Sequence, residues 1–61
     1  MDFYYQGKKD FLAGLPLKVP ANAGEIGTCD YRSGYRVAEV SKAAHPTWSD
    51  EFVLSNPSTL D

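Results

Sequence analysis

Cys29 and His45 are the residues of this chain best suited to nucleophilic or acid–base chemistry. A working Cys–His pair must lie within hydrogen-bonding reach. These two lie at opposite ends of a predicted helix, where a rise of 1.5 Å per residue holds them about 24 Å apart. A tetrahedral zinc site would need two further ligands from scattered carboxylates. We therefore predict no enzyme, no catalytic residue, no metal site and no cofactor.

A second cluster combines cations with aromatic rings. Tyr31 and Tyr35 are four residues apart, as are Arg32 and Arg36, so each pair shares a stripe of a helix. Such side chains serve as hot spots for protein partners, or contact RNA through phosphates and stacked bases. The alternative is a solvated helix face whose arginines pair with acids such as Glu39.

The sole tryptophan forms a third patch, because Trp48 precedes two acids and Phe52. A single tryptophan in so small a protein is more often core than contact, and Trp48 could close the core over a helix pair. We keep it as a contact candidate. The predicted partner-binding residues are Tyr31, Arg32, Tyr35, Arg36 and Trp48.

The overall charge helps to choose between partners. The 61 residues carry six Lys and Arg against eight Asp and Glu, for a net charge of −2. Lys8 and Lys9 could join Arg32 and Arg36 in a small basic face, but a weakly acidic molecule disfavours strong binding to phosphate backbones. We expect a host protein as partner before the ribosome or RNA.

The sequence also bears on the cellular location of the protein. No stretch approaches the roughly 20 apolar residues of a membrane helix, and residues 1–5 do not read as a signal peptide. A single cysteine fits a reducing compartment. We predict a soluble cytoplasmic protein with no membrane partner.

Periodicity and caps divide the chain into elements of one small domain, residues 1–61. We predict a mainly α fold: a compact two-helix hairpin with a long connection that contains proline and glycine. Asp2 is a suitable N-cap for the first helix and Gly14 suits its end, while Thr28 and Asp30 are candidate caps for the second. The predicted elements are a helix over 2–13, a connection over 14–27, a helix over 28–43 and a C-terminal segment over 44–61.

Glycines recur beside aromatic residues in both predicted helices. Gly7, Gly14 and Gly34 could let the helices approach closely, with Phe11 and the tyrosines filling the adjacent space. In the alternative, Gly14 is merely a cap and Gly7 a tolerated irregularity that costs about 1 kcal/mol relative to alanine.

Two local alternatives stay open. Ser33-Gly34 could be the turn of a β-hairpin within residues 29–40, which would make the fold a small α+β domain. The C-terminal segment is either a short helix capped by Thr47 or an extended edge over 51–54.

Two segments carry a resemblance to a known family. They are Gly7-Lys8-Lys9-Asp10-Phe11-Leu12-Ala13-Gly14 and Tyr31-Arg32-Ser33-Gly34-Tyr35-Arg36-Val37-Ala38-Glu39. Residues 5–39 resemble the small bacterial and phage proteins related to ribosome modulation factor, including the ciprofloxacin-resistance-protein-like members. The resemblance implies two helices rather than the hairpin, and association with the ribosome or RNA.

We therefore predict a small, non-enzymatic binding or regulatory protein, borne by a phage or mobile element, that inhibits a host macromolecule by occlusion. The alternative is a ribosome- or RNA-associated modulation factor. A homodimer would also bury apolar area that a chain of this length cannot cover alone.

Overall fold

The structure is a computed structural model that describes residues 2–55. This part of the chain contains three helices. They are α1 (Phe3–Leu12), α2 (Gly24–Ala44) and α3 (Asp50–Ser55). No strand occurs within these residues, so the mainly α prediction is confirmed and the hairpin around Ser33-Gly34 is wrong. Within the C-terminal segment, Asp50–Ser55 forms a helix rather than an extended edge, and residues 56–61 lie outside the described residues.

Helix α1 begins and ends where capping residues satisfy its terminal backbone groups. The Asp2 carboxylate accepts a hydrogen bond from the backbone N–H of Tyr5, at 3.2 Å. At the other end Gly14 takes the left-handed conformation, with φ of 79°. Its N–H donates to the Phe11 carbonyl and that of Leu15 to the Asp10 carbonyl, which is the Schellman pattern. Gly14 is thus a cap, and it plays no part in the helix crossing.

Helix α2 begins four residues before the predicted residue 28. Its N-cap is Ala23, and Thr28 and Asp30 lie inside the helix rather than at its cap. The extension is stabilised by packing, since a Cβ on Gly27 would lie 2.8 Å from Cδ2 of the Phe3 ring. Tertiary contact of this kind overrides the weak helix propensity of the first turns.

Glycines bring α1 and α2 together backbone to backbone. A Cβ on Gly7 would lie 2.8 Å from the Tyr35 nitrogen and closer still to the Tyr31 carbonyl oxygen. A Cβ on Gly34 would lie 2.8 Å from the Tyr4 carbonyl carbon and overlap its oxygen. The predicted close crossing is confirmed for Gly7 and Gly34.

Helix α3 packs against this pair through one side chain. Val53 is the only buried residue of α3, and its exposed fraction is 0%. Ser49 caps the helix, because its hydroxyl accepts from the Phe52 N–H at 3.1 Å. The predicted cap, Thr47, lies two residues too early.

Two lysines hold the ends of α3. The Lys8 ammonium, buried in α1, donates to the Val53 carbonyl at 3.2 Å, and burial lowers the pKa of Lys8. Lys42 donates to the Trp48 carbonyl at 2.7 Å and pairs with Asp50 at 3.3 Å. A cation near C-terminal carbonyls is favourable, so Lys8 stabilises the end of α3.

No helix within residues 2–55 is both long enough and apolar enough to cross a membrane.

Candidate functional site

A shallow groove lies between α2 and the connection that precedes it. Its volume is about 500 Å³. It combines an aliphatic and an aromatic wall with charged side chains, and we call it the arginine groove. The residues that line it are Leu17, Arg32, Ser33, Tyr35, Arg36, Val37 and Glu39.

Tyr35 forms a fixed wall of the arginine groove. Its hydroxyl donates to the Leu15 carbonyl at 2.7 Å. Its ring meets the Phe11 ring edge-on, with centroids 5.3 Å apart and planes at 83°. Because both ends of the side chain are held, Tyr35 presents a rigid, half-buried surface.

Tyr31, one turn earlier, faces the core instead. It is fully buried, with an exposed fraction of 0%. Its hydroxyl donates to the Asp10 carboxylate and accepts from the Lys18 N–H. Burial, with the hydrogen bond to Asp10 as a second cause, raises the pKa of Tyr31. The structure therefore separates Tyr31 from the other predicted contact residues and gives it a structural role.

The two arginines are available to a partner. Arg32 and Arg36 are exposed, one helical turn apart. Within residues 2–55 the ion pair between Lys42 and Asp50 is the only one, so neither arginine pairs with Glu39. Among the described residues the face is solvated, as in the alternative, but it lacks the expected pairing with Glu39.

The basic face does not extend onto α1. Lys8 is only 2% exposed and points toward α3 rather than toward the arginines. Lys9 is exposed and lies over the Tyr5 ring, 5.8 Å from its centroid. The positive charge of the groove comes from Arg32 and Arg36.

Sequence reasoning missed Leu17 as a site residue. Leu17 and the nearby Leu15 are apolar residues of the connection. Both remain about half exposed, at 51% and 46%. Tyr31 and Tyr35 hold the backbone at Lys18 and Leu15, and this places Leu17 beside the arginines. No sequence signal reveals this, because it depends on the route of a loop.

Trp48 lies outside the arginine groove. It is half-buried and stacks on His45 with ring centroids 3.8 Å apart. The Phe52 ring also meets the Trp48 ring edge-on, with centroids 4.9 Å apart. Val53, not Trp48, supplies the buried side chain with which α3 covers the core.

Cys29 and His45 stay apart. Both are exposed, near opposite ends of an unbroken α2, which separates them by about 24 Å. In the described chain no three His, Cys, Asp or Glu side chains gather in a group that could hold a metal ion.

Comparisons with protein-family models, with curated proteins and with solved structures found no match. The resemblance to proteins related to ribosome modulation factor therefore stays a prediction, and the geometry of the arginine groove carries the functional argument.

Proposed function

We propose that this chain is a small, non-enzymatic binding protein that covers a working surface of a host protein with its arginine groove. The observation that carries the proposal is the pair of exposed arginines, which form no ion pair within residues 2–55, beside half-exposed Leu17 and rigid Tyr35. Cations beside an apolar wall can bind a carboxylate and an aliphatic or aromatic side chain together. Occlusion requires no chemistry from the chain itself.

A protein fits the groove better than RNA does. Base stacking needs an open aromatic face, but the Tyr35 ring is packed against Phe11 and its hydroxyl is engaged. Two arginines would also neutralise only about two phosphates, which gives weak binding that salt removes easily. Association with the ribosome or RNA is the second candidate, and the exposed Arg32 and Arg36 are what favour it.

The proposed setting is the cytoplasm of a bacterial host, with a phage or mobile element as the source. The single cysteine supports the compartment. The family resemblance supports the source.

Affinity capture from a bacterial lysate, at low and high salt, tests the proposal. The wild type is compared with Arg32→Ala/Arg36→Ala, which removes both charges from the groove. The matched control is Glu25→Ala/Asp30→Ala, which changes two exposed charges of α2 that do not line the groove. Circular dichroism verifies that all three proteins are folded.

We expect one host protein to be retained by the wild type and the control, and lost by the arginine variant. Retention should survive the higher salt in part, because Leu17 and Tyr35 contribute apolar contact. Ribosomal RNA captured only at low salt would establish the second candidate instead. If neither protein nor RNA depends on the arginines, both candidates are wrong.

A further inference from the structure

Two surfaces of this chain are complementary to each other. The arginine groove is partly apolar, and its two arginines outnumber its one acid, Glu39, so it is positive on balance. The outer face of α3 is negative and partly apolar: Phe52 is 46% exposed, and the exposed Glu51 makes no ion pair within residues 2–55. The Asp50 side chain adds to the charge and is 59% exposed, although Lys42 neutralises part of it. We call this surface the acidic face.

The Phe52 ring is also held in place before any contact forms. It meets the Trp48 ring edge-on, with centroids 4.9 Å apart, and Trp48 is in turn stacked on His45 at 3.8 Å. A side chain that is already ordered loses little conformational entropy on binding. The wall that would receive it, Tyr35, is fixed at both ends as well.

A chain of 61 residues has reason to use such a pair of surfaces. A domain of this size buries only about 60% of the surface that its unfolded chain exposes. Leu17 and Phe52 are both large apolar side chains left about half exposed. A contact between two copies would cover Leu17 of one copy with Phe52 of the other.

We propose that two copies of the chain form a two-fold dimer in which Phe52 of each copy enters the arginine groove of the other. Glu51 then faces Arg32 and Arg36 across the contact. Each copy carries one groove and one acidic face, so a reciprocal pair leaves neither surface open. The dimer occupies the groove assigned above to a host protein, so self-association and host binding compete. The dimer itself does not rest on that function.

Sedimentation equilibrium of the purified chain, from about 1 µM to 1 mM, tests the proposal. Two charge-reversed variants are compared with the wild type, alone and mixed in equal amounts: Arg32→Glu/Arg36→Glu and Glu51→Lys. Asp30→Lys is the control, because it reverses an exposed acid of α2 outside both surfaces. Circular dichroism verifies the fold of each protein.

The wild type and the control should approach twice the monomer mass of 6.7 kDa as concentration rises. Each charge-reversed variant alone should dimerise at least tenfold more weakly. The equal mixture should recover the dimer, because each groove then meets a face of opposite charge.

A wild type that stays monomeric up to 1 mM overturns the proposal, as does a dimer that both reversals leave unchanged. Masses that keep growing beyond two copies overturn the closed two-fold arrangement. A monomer that still captures a host protein through Arg32 and Arg36 refutes the dimer alone and leaves the proposed function standing.

Discussion

Helices α1 and α2 meet backbone to backbone, whereas α3 is attached to them by one valine and two lysines. At the first contact, Gly7 and Gly34 leave no room for even a methyl group. At the second, long flexible side chains reach across to main-chain carbonyls. A backbone contact cannot adjust, but a lysine can. The α1–α2 crossing should therefore define the fold, and α3 should be its separable part.

Gly34→Ala should have the largest effect. Its Cβ would overlap the Tyr4 carbonyl, and neither backbone can yield without separating the helices. We expect a loss of about 3 kcal/mol or more, out of a total of about 3–9 kcal/mol for a chain of this size. Urea unfolding followed by circular dichroism measures it. The neighbouring exposed residue supplies the control, since Ser33→Ala should change stability by less than about 0.5 kcal/mol. Equal stability for the two variants would contradict the close crossing.

Val53→Ala should cost less and act locally. It removes the buried side chain of α3, at about 2 kcal/mol for two methyl groups and the space they leave. Amide hydrogen exchange should show protection lost in α3 while the α2 amides around Gly34 keep most of theirs. Equal loss in both helices would mean that α3 is an integral part of the core.

The hydroxyls of Tyr31 and Tyr35 each form a hydrogen bond to the backbone of the connection, and removing them should cost different amounts of stability. Tyr31→Phe removes a buried hydroxyl that bonds Asp10 and Lys18, and should cost about 1–2 kcal/mol. Tyr35→Phe removes one exposed hydrogen bond, to Leu15, and should cost about 0.5 kcal/mol. Urea unfolding of both variants gives the order. The reverse order would mean that the Tyr35 hydrogen bond, at the arginine groove, contributes more to stability than the Tyr31 hydroxyl does.

The pH dependence should give the smallest effect. The unfolded chain releases the Tyr31 proton near pH 10, and the folded chain holds it to higher pH because the pKa is raised. This contribution to stability is fully present below pH 10 and is lost as the pH rises through the folded pKa. Lys8 acts in the opposite direction, since its folded pKa is lowered and stability from it rises with pH.

Comparing the wild type with Tyr31→Phe isolates the tyrosine, because Lys8 is common to both. Urea unfolding between pH 8 and about pH 11 should show a smaller alkaline loss in the variant. Parallel curves would mean that Tyr31 ionises alike in both states.

Much of the helix pair is readable from local chemistry. The Asp2 and Gly14 caps require only neighbouring residues, and glycines spaced among aromatics indicate a close crossing. The start of α2 could not be predicted in this way, because packing of Phe3 on Gly27 extends the helix beyond the predicted caps, Thr28 and Asp30.

Only part of the candidate site could be predicted from the sequence. Arg32 and Arg36 follow from their spacing, and the helix displays both. Tyr31 and Tyr35 share that spacing, yet one is core and the other is a groove wall, because their burial depends on where Asp10, Phe11 and the connection lie. Leu17 depends on the same loop path. Periodicity identifies a helical face but not what covers it.

The position of Trp48 has an optical consequence. It is the sole tryptophan, in the short segment that leads from α2 into α3, stacked on His45 and touching Phe52. Indole emission therefore reports on this junction alone, while the buried Tyr31 belongs to the helix crossing. Detachment of α3 can thus be followed through the emission of one natural fluorophore, without a label.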